Sequence, residues 1–156
     1  MVKAGFIPDS LSTDLHVGSM NGATKDELNV ASKMMAIGLS LQEAVAEMTS
    51  HPAHEIKRDD LGNLSEGSVA DIAVLSVEKG HYGFTDMQNT RVDGTQKLVA
   101  ELTIKDGKIV YDLNGMEAKL WNEPLDPNAK YASRWTTFAP RAPDTHNAIP
   151  TKEMPH

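Results

Sequence analysis

Residues 5–16 read Gly5-Phe6-Ile7-Pro8-Asp9-Ser10-Leu11-Ser12-Thr13-Asp14-Leu15-His16, and the glycine-bearing stretch Val17-Gly18-Ser19-Met20-Asn21-Gly22 follows. An apolar run that ends in an acidic residue and then a loop is how a buried parallel strand delivers a side chain to the rim of an α/β sheet or barrel. The pattern predicts a short opening strand with Asp14 at the rim. A carboxylate there has two uses, hard-oxygen ligation of a divalent metal or proton transfer to and from a reacting water. The same residue type before a loop also caps helices and shapes turns. His16, two residues on, is equally a candidate contact for a substrate and a hydrogen-bonded structural residue.

Downstream the period becomes helical. Thr24-Lys25-Asp26-Glu27 has the T-x-x-E spacing of a capping box and predicts a helix start. Leu28, Ala31, Met34 and Met35 recur on one helical face, and Gly38 is placed to end the helix. Ser40-Leu41-Gln42-Glu43 is a second capping box, opening a helix with the apolar stripe Leu41, Ala44, Val45 and Met48. His51-Pro52-Ala53-His54 has two histidines three residues apart, a spacing that a metal pair shares. Pro52 suits the first turn of a short helix running to Ile56, and the packing reading is preferred.

From Gly62 the period changes toward two. Leu64, a Glu66-Gly67 turn and Val69 to Val77 read as a strand pair, with Ile72-Ala73-Val74-Leu75 expected to be buried on both faces. Asp71 is expected to bond the backbone of a neighbouring glycine turn. Lys79-Gly80-His81-Tyr82-Gly83 reads as a loop. Leu98, Ala100, Leu102 and Ile104 alternate as in a half-buried strand, and Asp106-Gly107 is a type I′ hairpin signal into Lys108-Ile109-Val110-Tyr111.

The composition bounds what such a chain does. Its 156 residues, 40% of them hydrophobic, suffice for one modest domain but not for an eight-stranded barrel, which takes about 250. There is no cysteine, which removes disulfides, thiolate metal sites and cysteine nucleophiles. The net charge is -7 with no basic run, so nucleic-acid binding is disfavoured. No apolar stretch approaches the ~18 residues of a membrane span, and the first residues lack a signal peptide's apolar segment, so the expected location is cytoplasmic. Residues 114–156 hold six of the eight prolines and both tryptophans without sustained periodicity, and they predict an extended tail ordered only where aromatic residues find apolar surface.

The stretch ending in Asp14 and His16 resembles the eighth barrel strand of the amidohydrolase superfamily, in particular its deacetylase-type and dihydroorotase-like metallohydrolases. Thr49-Ser50-His51-Pro52-Ala53 and Leu61-Gly62-Asn63-Leu64-Ser65-Glu66-Gly67-Ser68-Val69-Ala70-Asp71-Ile72-Ala73-Val74-Leu75 are similar to that family's passage from the last barrel helix into a small C-terminal β domain. Two motifs in the right order, within a resemblance over about residues 2–113, are far more specific than either alone.

The resemblance implies an α/β chain: the last βα unit of a TIM-barrel metal-dependent hydrolase in residues 1–60, a small antiparallel β domain in 61–113 and a Pro-rich tail in 114–156. It implies hydrolysis of the C–N bond of amides or cyclic amides, or of acetyl esters, by metal-activated water. The metal would be one or two divalent ions of zinc type. Asp14 matches the strand-eight aspartate, at once catalytic base and metal ligand, and His16 would face a small-molecule substrate. No His-x-His pair occurs here, so the expected partner is the missing N-terminal barrel portion, in a homo-oligomer, and the chain by itself is expected to be inactive and to hold metal weakly. The other class is a non-catalytic oligomerisation or binding module derived from the same family.

Overall fold

A computed structural model describes residues 2–124. Residues 2–118 form one unit. After a 3-10 turn at Val2–Ala4 come helices α1 (Val17–Met20), α2 (Glu27–Ile37), α3 (Leu41–Met48) and α4 (Ser50–Glu55), then strands β1 (Ile72–Thr85), β2 (Arg91–Lys105) and β3 (Lys108–Asp112). The strands make one antiparallel sheet in the order β1-β2-β3. In the second unit, the described residues 119–124 include a turn in which the Glu123 N–H donates to the Leu120 carbonyl, and Trp121 is 96% exposed.

The helices begin and end where their caps dictate. The α2 start is a correction: its cap is Asp26, whose Oδ1 accepts the Asn29 N–H at 2.7 Å, rather than a box led by Thr24. Lys25 lies at φ 61, a left-handed turn that separates Thr24 from the helix. At the other end Gly38, at φ 126, donates to the Met34 and Met35 carbonyls. The second capping box forms as read, with the Ser40 N–H to Glu43 Oε2 at 2.7 Å and the Glu43 N–H to Ser40 Oγ at 3.2 Å. Pro52 sits in the first turn of α4, where a missing N–H is harmless.

The opening strand does not form. Residues 5–13 run without ladder partners, since a parallel strand exists only through hydrogen bonds to neighbours and the described residues supply none for it. The segment is held instead on α3, where the Leu11 N–H donates to the Glu47 carbonyl at 2.9 Å. Leu11 packs against the core while Phe6, 61% exposed, and Ile7 face water.

The sheet also departs from the reading. Leu64 lies outside any strand, β1 begins at Ile72, and Ala73 and Val74 are exposed rather than buried on both faces, because among the described residues helix covers only part of the sheet. Lys79–Gly83 is strand, not loop: Lys79 pairs with Gln96 and Tyr82 with Gly94, leaving Gly80 and His81 opposite Thr95 as a bulge. A second bulge puts an extra residue, Glu101, in β2. Its carboxylate accepts from Ser76 Oγ at 2.7 Å and Asn114 Nδ2 at 2.6 Å, tying β1 to the segment after β3. The β1–β2 turn closes on Asp86, which accepts from the Gln88 and Thr90 N–H groups at 2.9 and 2.8 Å. Asp106 and Gly107, at φ 48 and 73, make the type I′ turn. Asp71 does bond a glycine turn, but this later one, accepting the Asp106 N–H at 2.8 Å.

Helix and sheet meet at one place. Ala31, Ala44 and Leu98 form the buried core, with Leu28, Met35, Met48 and Val77 against it. A Cβ at Gly94 would lie 2.8 Å from Phe84 Cε2 and 3.0 Å from Ala36 Cβ, so α2 approaches β2 as closely as a glycine permits. Beyond the reach of β3, the Leu98 N–H donates to Ser32 Oγ at 2.9 Å, and that hydroxyl donates to the Leu28 carbonyl at 2.5 Å. Ser32→Ala would leave a buried N–H without an acceptor. The expected loss is about 1–3 kcal/mol, read as a fall in urea midpoint, with Ser32→Thr retaining more of the stability.

Candidate functional site

Asp14 and His16 are carried by a loop organised by one hydroxyl. Ser19, buried in α1, accepts the His16 N–H at 2.8 Å and donates to the Asp14 carbonyl at 2.8 Å, with the His16 carbonyl at 3.2 Å as the longer alternative. Since a hydroxyl has one proton, the shorter contact takes it. Asp14 itself sits at φ 45, a conformation that aspartate tolerates better than most residues, and its side chain is exposed. The loop that follows is stapled to α2, where Asn29 Nδ2 donates to the Ala23 and Thr24 carbonyls at 3.1 and 2.8 Å and Lys33 Nζ to Ala23 at 3.0 Å.

His16 has a structural duty that its position did not announce. It caps α1, with Nδ1 accepting the Gly18 N–H at 3.0 Å. Gly18 makes this possible, because a Cβ there would stand 2.8 Å from the imidazole Cε1. With Nδ1 an acceptor, the neutral ring carries its proton on Nε2, so His16 offers a hydrogen-bond donor outward. Metal ligation through Nε2 would require moving that proton to Nδ1 and losing the cap. The structure thus brings Asp14 and His16 into one turn through Ser19. Ser19 was missed in the sequence; a His-x-Gly-Ser run is its only local signal.

The histidines of α4 do not assemble a second site. His54 Nδ1 lies 3.0 Å from Asp59 Oδ1, both side chains largely exposed. Asp9, His51, His54 and Glu55 border an open depression. Among the described residues no three His, Cys, Asp or Glu side chains converge well enough to hold a metal ion. The residues present therefore do not fit a complete metal centre: Asp14 offers one carboxylate, and His16 Nδ1 is already engaged.

Close to this loop lies an unusual buried acid. Glu47 on α3 is 0% exposed and neither carboxylate oxygen has a partner. Burial pushes its carboxyl above the ordinary range; His51 opposes this, while Glu43 and Asp9 add to it. A carboxyl raised in the folded state gives stability that is complete below the unfolded value and lost as pH rises through the folded one. Asp60, Asp71 and Asp86, lowered chiefly by hydrogen bonds from Arg58, the Asp106 N–H and Thr90, act in the opposite sense and lose stability in acid.

A model of the amidohydrolase family matches residues 1–111. The chain belongs to the amidohydrolase family. Among similar proteins, a deacetylase of Brucella anthropi is 31% identical over 85 residues, 54% of this chain and 21% of that protein. A dihydroorotase of Methanopyrus kandleri is 37% identical over 81 residues, 49% of this chain and 19% of that protein. The fold is shared with a solved dihydroorotase, at a TM-score of 0.64 and 25% identity over 69% of this chain and 29% of that one. An adenine deaminase gives a TM-score of 0.68 at 24% identity over 71% and 30%. This amidohydrolase-family chain thus spans about a fifth of the length of the curated relatives it matches. The match takes in the Asp14–His16 loop, all four helices and most of the sheet.

Glu47→Met, apolar and similar in size, is expected to stabilise the chain by about 1–3 kcal/mol at neutral pH. Thermal melts across pH should show the parent losing ground to the variant as pH rises above the ordinary glutamate value of 4.5. Parallel curves would show that Glu47 is not the group responsible.

Proposed function

We propose that this chain contributes the final portion of an amidohydrolase active site, with Asp14 as the proton acceptor and His16 as a donor to substrate. The division into a last barrel unit, a small β domain and a tail, at residues 1–60, 61–113 and 114–156, is part of this reading. The observation that carries it is the Ser19-pinned turn, which holds an exposed carboxylate and an imidazole Nε2–H within three residues inside the family match. Hydrolysis of a C–N bond, or of an acetyl ester, needs a base for the attacking water and a donor for the developing oxyanion or leaving group, and these two groups supply both.

The substrate class is small amides, cyclic amides or esters, in keeping with the names of the relatives, a deacetylase and a dihydroorotase. A divalent metal in the complete enzyme would draw Asp14 as one ligand and its other ligands from outside the described residues. Phe6, Ile7, Leu15, Val17 and Met20 are exposed on the same stretch as Asp14. They form an apolar surface suited to pack on the remaining barrel, and until covered they favour self-association.

The test joins this chain, in trans or by fusion, to an N-terminal barrel segment of a matching relative. Metal binding and turnover of N-acetylated or cyclic amide substrates are expected from the joined protein and not from the chain alone. In the joined enzyme Asp14→Asn should keep the fold and lose about 10²- to 10⁴-fold in kcat, the span of general acid-base catalysis. Turnover within twofold of the parent would make Asp14 a rim residue only. A joined protein that folds and associates but never turns over would favour the binding-module reading instead.

A further inference from the structure

Residues 5–13 cross α3 at Glu47, a fully buried residue with neither carboxylate oxygen partnered. Among the described residues, two hydrogen bonds tie this segment to the helices. The Leu11 N–H donates to the Glu47 carbonyl at 2.9 Å, and Ser10 Oγ donates to Glu55 Oε2 on α4 at 3.2 Å. Of the segment's side chains, Leu11 packs against the buried core, while Phe6, Ile7, Asp9 and Ser12 are exposed. The backbones of α3 and α4 hold themselves by their own helical hydrogen bonds, so the segment is the most lightly held of the three. Three charged groups face the Glu47 carboxyl: Asp9 from the segment, Glu43 from one turn earlier on α3, and His51 from α4. Two of them are acids that repel a Glu47 anion, and Asp9 is carried by the segment itself.

We propose that Glu47 is a proton latch: protonated, it lets residues 5–13 seat on α3, and ionised, it releases them. The anion has no donor in the fold, and a buried unpaired charge costs far more than a buried neutral acid. All of Glu47 is covered, backbone included, so hydrating the anion means removing cover, and the segment is the cover held by least. Repulsion between Asp9 and the Glu47 anion acts along the same path, and the proton leaves to bulk water. Because the carboxyl is raised in the seated state, seating is complete below the ordinary glutamate value of 4.5 and is lost as pH climbs from there through the raised value. The segment leads into the turn that carries Asp14, so its release loosens the approach to that turn while the Ser19 bonds within the turn stay in place. The inference does not depend on the hydrolase reading, since neither Asp14 nor His16 takes part in the latch.

The test is amide hydrogen exchange of the full chain, followed by NMR from about pH 4 to about pH 8, with each rate divided by the intrinsic rate at that pH. Leu11 and Leu98 report separately, since the Leu98 N–H is held by Ser32 beneath α2 and is freed only by a larger opening. The Leu11 protection factor is expected to fall by roughly tenfold or more in all, at no more than about tenfold per pH unit, the limit for one proton. Leu98 should stay protected where Leu11 no longer is. Glu47→Gln and Glu47→Met, which carry no ionisable group, should each make Leu11 protection flat with pH. Asp9→Asn should keep the effect and reduce its size. A Leu11 protection that does not change with pH, one that falls only together with that of Leu98 to the same opening free energy, or a dependence that survives in both Glu47 variants overturns the proposal.

Discussion

The contact on which the rest of this molecule depends is the meeting of α2 with β2. Gly94 removes the side chain that would hold the helix off, Ala31 and Ala36 present small surfaces to the strand, and Ser32 satisfies the Leu98 N–H where no third strand reaches. Small residues here gain stability through proximity, since dispersion falls off within an ångström or so of optimal contact. Among the described residues this three-stranded sheet has little else to bury. Leu98, at 1% exposure, is buried because α2 lies over it; the exposed Val74 on β1 shows what the same sheet looks like without cover.

From this contact the loop bearing Asp14 takes its position. α2 holds the loop's return through Asn29 and Lys33, which together satisfy the carbonyls of Ala23 and Thr24. Burial pushes the Lys33 ammonium down, opposed by Asp86 in the β1–β2 turn. α3 holds the loop's approach through the Leu11 N–H, so the segment with no ladder of its own is fixed at both ends by helices. Ser19 fixes the middle.

How much of this was legible in the residues depends on whether the cause was local. Gly38, the Ser40–Glu43 box, Pro52 and Asp106-Gly107 act within a few residues of themselves, and each behaves as its chemistry requires. The opening strand was misread because its pattern, apolar and then acidic, describes a strand inside a larger sheet, and a ladder is a property of neighbours. Lys79–Gly83 was misread as a loop because two glycines and a histidine look like a turn. The register of β2 carries the strand through them as a bulge. Asp26 displaced Thr24 as a cap because the left-handed Lys25 was invisible to spacing alone. That Asp14 and His16 share a loop was legible; the hydroxyl that joins them and the buried acid on α3 were not, because both depend on where α1 and α3 come to rest.

The arrangement of His16 constrains any chemistry built on this loop. A histidine that caps a helix through Nδ1 has its tautomer chosen by the backbone, and its Nε2 is a donor before any substrate arrives. Asp14, two residues earlier, has a carbonyl held by Ser19 and a carboxylate left to water, so its backbone is fixed while its acceptor atoms stay available. One donor and one acceptor of fixed identity on a single turn is preorganisation achieved by hydrogen bonds to the main chain, and it requires no metal to set it. A cation brought to this loop would meet the exposed Asp14 carboxylate and an imidazole whose Nδ1 is already engaged with the Gly18 N–H. An acceptor at Nε2 of the neutral ring would require His16 to give up Gly18, and α1, only four residues long, has few other bonds with which to survive that loss.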